Sequence, residues 1–303
     1  MATLSVNYHD LYKEGLQELL TQTVSRLRPL VMVESMKGGD TLNVDQVRGA
    51  TVSEVANLSA ATVFSNIQTA RRQIKKKNYY YHELVTDDQL NNVPYDPKAP
   101  LIRRVISAFG EKMDEIIYNG AVGSADTGHD GSTPVTFDDT TLDAGGTGRA
   151  ILDGGTNATY PKLLEACEFF RLKDYEGRRL IHICHPSALT AYYNIDKVID
   201  NDFSRLHEGG LATPMSAGYE FTLKLGYNID VFTSNKVAVT ANIADNLIMT
   251  PEGVGFGIGM EPTVWQARNP ERNMQMQFSV GSLFGATRLD EDQVVKIKTD
   301  TTA

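Results

Sequence analysis

The sequence predicts an α+β fold, with helices and strands in separate stretches of the chain. In several segments apolar residues recur at steps of three and four, which is typical of helices, and in others they alternate or form short runs, which is typical of strands. Of the 303 residues, 41% are hydrophobic and 22% are charged, a composition typical of a folded chain. No apolar run in the sequence reaches the roughly 18 residues that a membrane-spanning helix needs.

Charge is unevenly distributed along the chain. The net charge of −9 disfavours a dedicated nucleic-acid binder, because phosphate contacts need a basic surface. Residues 1–82 contain 10 basic and 7 acidic side chains (+3), and residues 83–303 contain 19 basic and 31 acidic ones (−12). We therefore expect the N-terminal part to lie on the acidic remainder of its own or a neighbouring chain. The presence of only two cysteines, and an N-terminus without the pattern of a secretory signal, favour synthesis in a reducing cytoplasm.

The first predicted elements form an arm. Apolar spacing predicts a helix over Tyr8–Arg26, which Pro29 ends. Two strands are predicted around Gly38-Gly39-Asp40, and a second pair at Ser65–Ile74 and Asn78–Val85. The stretch from Leu30 to about Glu83, which contains these four strands, has no contiguous apolar mass. An isolated ribbon is marginal in water, so we expect this stretch to be an arm that gains packing partners from other subunits.

A long helix follows the arm. Asp87–Pro100 is rich in Asp, Asn and Pro and is predicted as a loop, and Lys98–Asn119 has the clearest apolar stripe in the chain. The charged residues of this helix, Asp114 among them, fall mostly outside the stripe. Pro100 suits the first helical turn and Gly120 suits a C-terminal cap. At 1.5 Å per residue, the helix is roughly 30 Å long.

The remainder alternates loops, helices and strands. Ala121–Thr159 is predicted as surface loop because Gly, Asp, Thr and Ser dominate it. Helices at Tyr160–Leu172 and Pro186–Tyr193 flank a buried strand at Leu180–Cys184. The inward-facing residues of the first helix are expected to be Leu163, Leu164, Cys167 and Phe170. The other predicted strands are a pair within Gly226–Val239, then Leu247–Met249, Gly253–Met260, Thr263–Ala267, Met274–Phe284 and Val294–Ile297.

One short segment contains three metal-ligating residue types, His182, Cys184 and His185. On a strand, His182 and Cys184 share a face while His185 points away, and no second cluster completes a tetrahedral set. We therefore favour a buried strand that enters a helix cap at His185-Pro186 over a metal site.

Four glycines alternate at 253, 255, 257 and 259. This is not the spacing of a phosphate-binding loop, which lies between a strand and a helix. Alternation places the glycines on one face of a strand, where another backbone or a bulky ring packs closely.

A basic stretch precedes three tyrosines. Basic residues beside stackable rings are typical of single-strand nucleic-acid binding, but the patch is short and the rest of the chain is acidic. We favour pairing with carboxylates of a neighbouring subunit. The patch consists of Arg71, Arg72, Lys75, Lys76 and Lys77, followed by Tyr79, Tyr80 and Tyr81.

The sequence predicts neither a metal site nor a catalytic site. The aspartates of the 121–159 loop lack the twelve-residue calcium loop with its closing Glu, so solvated loop is the interpretation. No Gly-x-Ser-x-Gly elbow or Ser/His arrangement indicates a triad, and we predict that the chain is not an enzyme and has no cofactor. These aspartates are Asp126, Asp130, Asp138, Asp139 and Asp143.

In order, these elements resemble the tailed-bacteriophage major capsid protein family, which has the Hong Kong phage type of capsid fold. The resemblance spans nearly the whole chain, and the order of short motifs carries it. These motifs are Asp87-Asp88 and Asp96 before the long helix, Gly177-Arg178-Arg179-Leu180 leading to Cys184-His185-Pro186, Asp200-x-Asp202-Phe203, Gly226-Tyr227-x-Ile229-x-Val231-Phe232-x-Ser234-Asn235, and Gly285-Ala286-x-Arg288.

The resemblance implies a domain organisation. Residues 1–27 would form an N-terminal arm, and residues 28–85 an extended β-hairpin loop over the adjacent subunit. Residues 86–158 and 262–303 would form the peripheral domain, a sheet with the spine helix 98–119. Residues 159–261 would form the axial domain at the centres of the capsomers.

The resemblance also implies a function. The chain would self-assemble into hexamers and pentamers of an icosahedral head that encloses double-stranded DNA, located in the virion. Portal, scaffolding and decoration proteins would be its partners, together with packaged DNA through non-specific contact. The alternatives are an encapsulin-like shell around protein cargo and a loop-rich enzyme with an unrecognised site.

Overall fold

The computed structural model confirms the α+β class. Three helices are described: α1 (Lys98–Val122), α2 (Tyr160–Leu172) and α3 (Pro186–Tyr193). The structure describes residues 24–47, 69–85, 98–143, 147–175, 179–195, 212–214, 221–224 and 227–302. The strands of this part are β1 (Met32–Ser35), β2 (Thr41–Val47), β3 (Thr69–Lys75), β4 (Lys77–Val85), β5 (Ala125–Thr127), β6 (Thr133–Val135), β7 (Ala150–Ile151), β8 (Arg179–Cys184), β9 (Ala212–Pro214), β10 (Phe221–Lys224), β11 (Asn228–Thr233), β12 (Val239–Thr240), β13 (Ile243–Met249), β14 (Val254–Asn269), β15 (Gln275–Arg288) and β16 (Val294–Asp300).

The strands form three sheets. The first sheet has the order β1-β14-β15-β4, with β14 and β15 paired as a long antiparallel hairpin. The second sheet has the order β7-β16-β13-β8-β11-β10-β9, with β12 added beside β13. The third sheet, β2-β3-β5-β6, is antiparallel, and its β2–β3 ribbon belongs to the predicted arm.

Helix α1 packs on the first sheet. Its apolar stripe, including Val105, Phe109 and Ile117, is buried in one cluster with Val280 and Phe284 of β15. The predicted long helix is confirmed, and it extends three residues past its predicted end.

The prediction of Gly120 as a helix cap was wrong, because Gly120 lies inside α1. A Cβ at Gly120 would lie 2.8 Å from the carbonyl carbon of Ala286 on β15. Glycine is therefore required by the close approach of the helix to the sheet, rather than by a change of backbone direction.

Helices α2 and α3 pack on the second sheet and begin and end at the predicted residues. Their cluster buries Leu163, Cys167, Phe170 and Tyr192 against the second sheet. Leu164, which was expected to face inward, is 39% exposed.

Several strands were predicted correctly but paired wrongly. β1 and β2 belong to different sheets, as do β3 and β4, so neither predicted pair is a hairpin. β11 pairs with β8 and β10 rather than with β12. Turn residues indicate that the chain reverses direction locally. Which strands pair in a sheet depends instead on burial between segments that are distant in the sequence.

Two predicted strands are one in the structure. Gly253–Met260 and Thr263–Ala267 both fall in β14, where the pairing register shifts twice, between Ile258 and Met260 and between Met260 and Thr263. Pro262 lies at the second shift, where a residue without an N–H is tolerated. The predicted domain boundary at 261/262 falls inside this strand, and the division into domains stays a prediction.

Other predictions fall partly or wholly outside the described residues. The helix Tyr8–Arg26 and most of the loop Asp87–Pro100 lie there, as do Gly177, Asp200, Asp202 and Phe203. The predicted loop Ala121–Thr159 contains three short strands, β5, β6 and β7.

Lys162, in the first turn of α2, is buried with its ammonium group enclosed by backbone carbonyls. Burial lowers its pKa. A cation at a helix N-terminus opposes the helix dipole, so the stabilisation comes from these acceptors. The carbonyls that accept from Nζ belong to Asp153 (2.8 Å), Thr156 (2.9 Å), Asn157 (3.0 Å) and Lys298 (3.2 Å).

We expect Lys162→Ala to destabilise the subunit by about 2 kcal/mol or more, because four carbonyls lose a charged donor. The vacated cage has the oxygen ligands that a small monovalent cation accepts, so ammonium chloride should recover part of the lost thermal stability. Tetramethylammonium chloride at equal ionic strength is the control, since it has no N–H and is too large. Equal melting temperatures in the two salts would contradict the cage.

His182 of β8 is fully buried and holds two strands and a helix together. Nδ1 lies 3.0 Å from the Leu247 carbonyl, which only accepts, so Nδ1 donates and Nε2 accepts from the Tyr192 hydroxyl at 2.9 Å. His185 caps α3, where its ring nitrogen accepts from the Ser187 N–H. The interpretation of this segment as a buried strand entering a helix cap is confirmed.

Neutral His182 predicts acid sensitivity. Burial lowers the pKa of its imidazole to about 4, against 6.5 in the unfolded chain. The unfolded state therefore binds the extra proton between pH 6.5 and 4, and stability present above pH 6.5 is lost as the pH falls through this window, by about 3 kcal/mol in total.

The check is urea unfolding of wild type and His182→Gln across this range. Carboxylates contribute to acid sensitivity in both proteins, so the difference between the two slopes isolates His182. The glutamine amide keeps a donor and an acceptor but does not titrate, so the free energy of unfolding of the variant should depend less steeply on pH. Identical slopes would show that His182 is not the titrating group.

Candidate functional site

The base of the β2–β3 ribbon lies on the glycine stripe of β14. A Cβ at Gly257 would lie 2.1 Å from the Met36 sulfur, and one at Gly255 would lie 2.9 Å from Cδ1 of Ile74. Met36 and Ile74 are buried here together with Leu289. The predicted close packing on alternating glycines is confirmed at these two positions, but the expected occupant was wrong, because flexible unbranched or branched aliphatic side chains approach there rather than a backbone or a bulky ring.

A further glycine, Gly285 of β15, is approached by backbone. A Cβ there would lie 2.0 Å from the Lys75 carbonyl oxygen and 3.2 Å from Cα of Lys76. The chain crosses the first sheet at this point, where it passes from β3 to β4. This contact could not be predicted from the spacing of residues, because the two segments are about 210 residues apart in the sequence.

Ion pairs hold the ribbon base on its own chain. Arg72 is buried and donates to the Leu289 carbonyl at 3.0 Å and to Glu291 at 2.8 Å. Lys75 pairs with Asp126 at 2.6 Å.

A third pair lies within the ribbon. Arg71 pairs with Asp45 at 2.5 Å, and its hydrogen bond lowers the pKa of that carboxyl. Lys76 also lies 3.7 Å from Asp40. The expectation of partner carboxylates in a neighbouring subunit was wrong for Arg71, Arg72, Lys75 and Lys76, which pair within their own chain.

The three tyrosines of β4 do not form one stacking platform. Side chains alternate along a strand, so Tyr79 and Tyr81 lie on one face and Tyr80 on the other. Tyr79 stacks on Phe284 with ring centroids 4.5 Å apart. Tyr80 closes over Gly281 beside Trp265, since a Cβ at Gly281 would lie 2.6 Å and 2.7 Å from their rings.

The N-terminal segment enters the body at Asp114 of α1. This carboxylate is 1% exposed and accepts from the Ser25 hydroxyl at 2.6 Å and from the N–H groups of Leu27 and Arg26 at 3.0 and 3.2 Å. The helical pattern had assigned Asp114 to the polar side of α1. Its burial is explained by these three donors from a segment almost 90 residues away.

Arg288, at the end of β15, is a second buried connection. Its side chain is fully buried, and Nε donates to Glu291 at 2.7 Å. Nη1 donates to the carbonyls of Ala121 and Gly123, both at 2.8 Å, so the guanidinium closes the C-terminal end of α1. The guanidinium thereby ties the spine helix to the last strand of the first sheet.

The loop aspartates are bound by the chain's own donors. Burial raises the pKa of Asp139, but hydrogen bonds from Lys298 and Lys296 outweigh it and the pKa is lowered. Asp138 accepts from Thr140, and Asp143 from the Thr147 N–H. Within the described ranges, no group of three or more His, Cys, Asp or Glu side chains could hold a metal ion.

These contacts perform a mechanical task. The arm is held at Asp114, at the glycine stripe and at Arg72, while the end of the described ribbon is exposed, with Val47 at 73%.

Among the described helices, none is long and apolar enough to cross a membrane.

Comparison with known proteins identifies the family. A family model described as phage capsid protein matches residues 4–301. No curated protein sequence matches the chain. The structure is similar to the capsid of cyanophage P-SCSP1u, with 14% identity, a TM-score of 0.70 and coverage of 97% of this chain and 93% of that chain.

Two further solved structures share the fold. The capsid of Ralstonia phage GP4 has 12% identity, a TM-score of 0.65 and coverage of 99% and 97% of the two chains. The SrpI encapsulin of Synechococcus elongatus has 14% identity, a TM-score of 0.61 and coverage of 97% and 94%. The family and its fold are those of structural proteins. This chain belongs to the phage capsid protein family, and it is a major capsid protein, the subunit of an icosahedral shell.

Proposed function

We propose that the chain assembles into hexamers and pentamers that close into a head around double-stranded DNA. The structural observation that supports this proposal is the β2–β3 ribbon of the extended loop. The base of the ribbon is fixed to the body of its own chain by Arg72 and Ile74. The ribbon itself is exposed and mostly polar, and β2 alternates between exposed and half-buried residues. Such a ribbon becomes stable by packing on a neighbour, and repeated head-to-tail contacts of this kind close into rings.

The division of labour within the subunit is part of the proposal. Residues 1–27 act as N-terminal arm and 28–85 as extended loop, while 86–158 with 262–303 form the peripheral domain and 159–261 the axial domain. The described chain has two large, separate buried clusters, one around α2 and α3 and one around α1. Each cluster contains residues of both proposed domains, such as Ile297 in the first and Leu247 in the second, so the domains share their packing.

Partners follow from the same proposal. A portal protein, scaffolding protein and decoration proteins would contact the shell, and the subunit is synthesised in the bacterial cytoplasm before it enters the virion. The net charge of −9 favours weak, non-specific contact with packaged DNA.

The test is light scattering with negative-stain microscopy on the purified chain at increasing protein concentration. Capsomers, tubes or closed shells are expected. Particles that protect co-expressed DNA from nuclease would support a phage head, whereas particles filled with protein would support the encapsulin alternative. A 33.4 kDa monomer that persists at high concentration and with scaffolding protein would overturn the proposal.

A further inference from the structure

Three Asn or Asp residues of the chain are followed directly by glycine, in the pairs Asn119-Gly120, Asp130-Gly131 and Asp153-Gly154. The backbone nitrogen that follows such a residue can attack its side-chain Cγ, and a glycine leaves that nitrogen unshielded. In an unfolded chain Asn119 reacts fastest of the three, because ammonia leaves its amide more readily than an oxygen leaves a carboxylate. The fold changes this order.

Asn119 is held in an unreactive conformation. It lies in α1, where the Gly120 N–H is directed along the helix axis to a carbonyl of the preceding turn and cannot reach the Asn119 side chain. Gly120 is fixed there by its close approach to Ala286, and the Asn119 carbonyl accepts from the Gly123 N–H at 2.8 Å. Attack on the Asn119 side chain therefore requires this end of the helix to unwind.

Asp153 is restrained by hydrogen bonds to its side chain and to its backbone. Oδ2 accepts from the Gly155 N–H at 3.1 Å. The Asp153 carbonyl accepts from Nζ of Lys162 at 2.8 Å and from the Thr156 N–H at 3.0 Å. Rotation of the peptide between residues 153 and 154 toward the side chain would break the bonds to this carbonyl.

Asp130 is the least restrained of the three. It lies in the turn between β5 and β6, and its side chain is 81% exposed. The Gly131 N–H donates to the Gly128 carbonyl at 3.4 Å, which is long for a hydrogen bond. Gly131 has a φ of 61°, and a Cβ there would lie 2.0 Å from Oε1 of Gln73. The glycine that this turn requires is thus the residue that leaves Asp130 open to attack.

His129 is placed to donate a proton to the carboxylate of Asp130. Its Nδ1 lies 2.7 Å from Oδ1 of Asp130, and the His129 ring is 89% exposed. When the imidazole is protonated, Nδ1 donates to the oxygen that has to leave as water. The ribbon contributes one further charge that acts on His129, the carboxylate of Asp45, which is paired with Arg71.

We propose that Asp130 and Gly131 form a succinimide spontaneously and that its hydrolysis yields isoaspartate. The Gly131 nitrogen loses its proton and bonds to Cγ of Asp130, and one carboxyl oxygen leaves as water with that proton and a second from His129. Water then opens the five-membered ring at either carbonyl, which restores aspartate or yields isoaspartate. Isoaspartate routes the backbone through the side chain, so it adds a methylene group to a turn that packs on Gln73 of the ribbon.

The test is ageing of the purified full-length chain at neutral pH, followed by labelling with protein isoaspartyl methyltransferase and peptide mapping. The same chain is aged in urea in parallel. In the folded protein we expect label at position 130 first, at least about tenfold above positions 119 and 153, because only there does the fold allow the attack. In urea we expect label at position 119 first.

Two substitutions are matched to this measurement. Asp130→Glu should remove the label, because the longer side chain must close a six-membered ring, which forms more slowly. Asp153→Glu should leave the label at position 130 unchanged. Label at position 130 that accumulates in the folded protein no faster than at positions 119 and 153, or that accumulates only in urea, would overturn the proposal.

The part of His129 is tested by the pH dependence of the reaction. His129→Gln should slow labelling at position 130 more in mildly acid than in alkaline solution, because only the protonated imidazole carries the proton to be donated. Equal slowing in both solutions would show that the proton does not come from His129. These outcomes do not depend on whether the chain forms shells.

Discussion

Gly285→Val is expected to prevent the accumulation of soluble, assembly-competent subunit. A Cβ at this position would overlap the Lys75 carbonyl oxygen at 2.0 Å, and that oxygen belongs to backbone that cannot rotate away. Lys75 ends β3 in the third sheet, and Lys77 begins β4 in the first, so the crossing chain is held on both sides. Relief of the overlap requires separation of the two sheets, and we expect a loss of about 3 kcal/mol or more.

The measurement is the free energy of unfolding in urea, with shell formation as a second readout. Gly285→Ala should be intermediate, because it introduces the same Cβ without the two further methyl groups of valine. Gly39→Ala is the matched control, since the nearest atom to its Cβ would be the Thr41 carbonyl oxygen at an ordinary 3.5 Å. Unfolding of Gly285→Val at the wild-type urea concentration would contradict the crossing.

Features that depend on local spacing could be read from the sequence. The bounds of α2 and α3, and the start of α1, follow from apolar periodicity and from proline at the first turn. The glycine stripe was also readable, because alternation on a strand has one geometric meaning. Its occupants, Met36 and Ile74, were not, since nothing in the sequence relates them to residues 255 and 257.

Features that depend on distant segments could not be read in this way. Asp114 lies on the polar side of the helical pattern, and only the arrival of Ser25–Leu27 makes its burial favourable. The sequence likewise did not determine which carboxylates pair with the basic patch, because charge attraction does not distinguish the chain's own Asp126 and Glu291 from those of a neighbouring subunit.

One short motif carried more than its spacing suggested. Gly285-Ala286-x-Arg288 served only as a point of family resemblance, yet each named residue makes a close contact between distant elements. Gly285 meets the Lys75 backbone, Ala286 meets Gly120 of α1, and Arg288 binds the end of α1. Three contacts between distant elements are thus made from a single strand end.

The second large effect is expected for Arg288→Met. Methionine fills much of the volume, but the carbonyls of Ala121 and Gly123 lose a charged donor at 2.8 Å each. Val135, whose carbonyl accepts at 3.2 Å, and the ring of Phe137, 5.1 Å from the guanidinium, lose the same cation. Removal of one member of a buried ionic cluster destabilises proteins by about 3–5 kcal/mol, and this range is expected here.

Glu291 makes the experiment more specific. In Arg288→Met it keeps Arg72 at 2.8 Å, so the ribbon base remains anchored while the end of α1 is released. Glu291→Gln should therefore weaken both attachments, and Arg288→Met with Glu291→Gln should destabilise less than the sum of the single changes, because the two side chains share one hydrogen bond.

Arg272→Met, at an exposed position in the β14–β15 turn, is the control and should unfold like wild type. An Arg288→Met subunit within about 1 kcal/mol of wild type would mean that α1 and the first sheet are held by apolar packing alone. The expected larger loss follows because Arg288 donates to backbone at a helix end, where no apolar side chain can replace it.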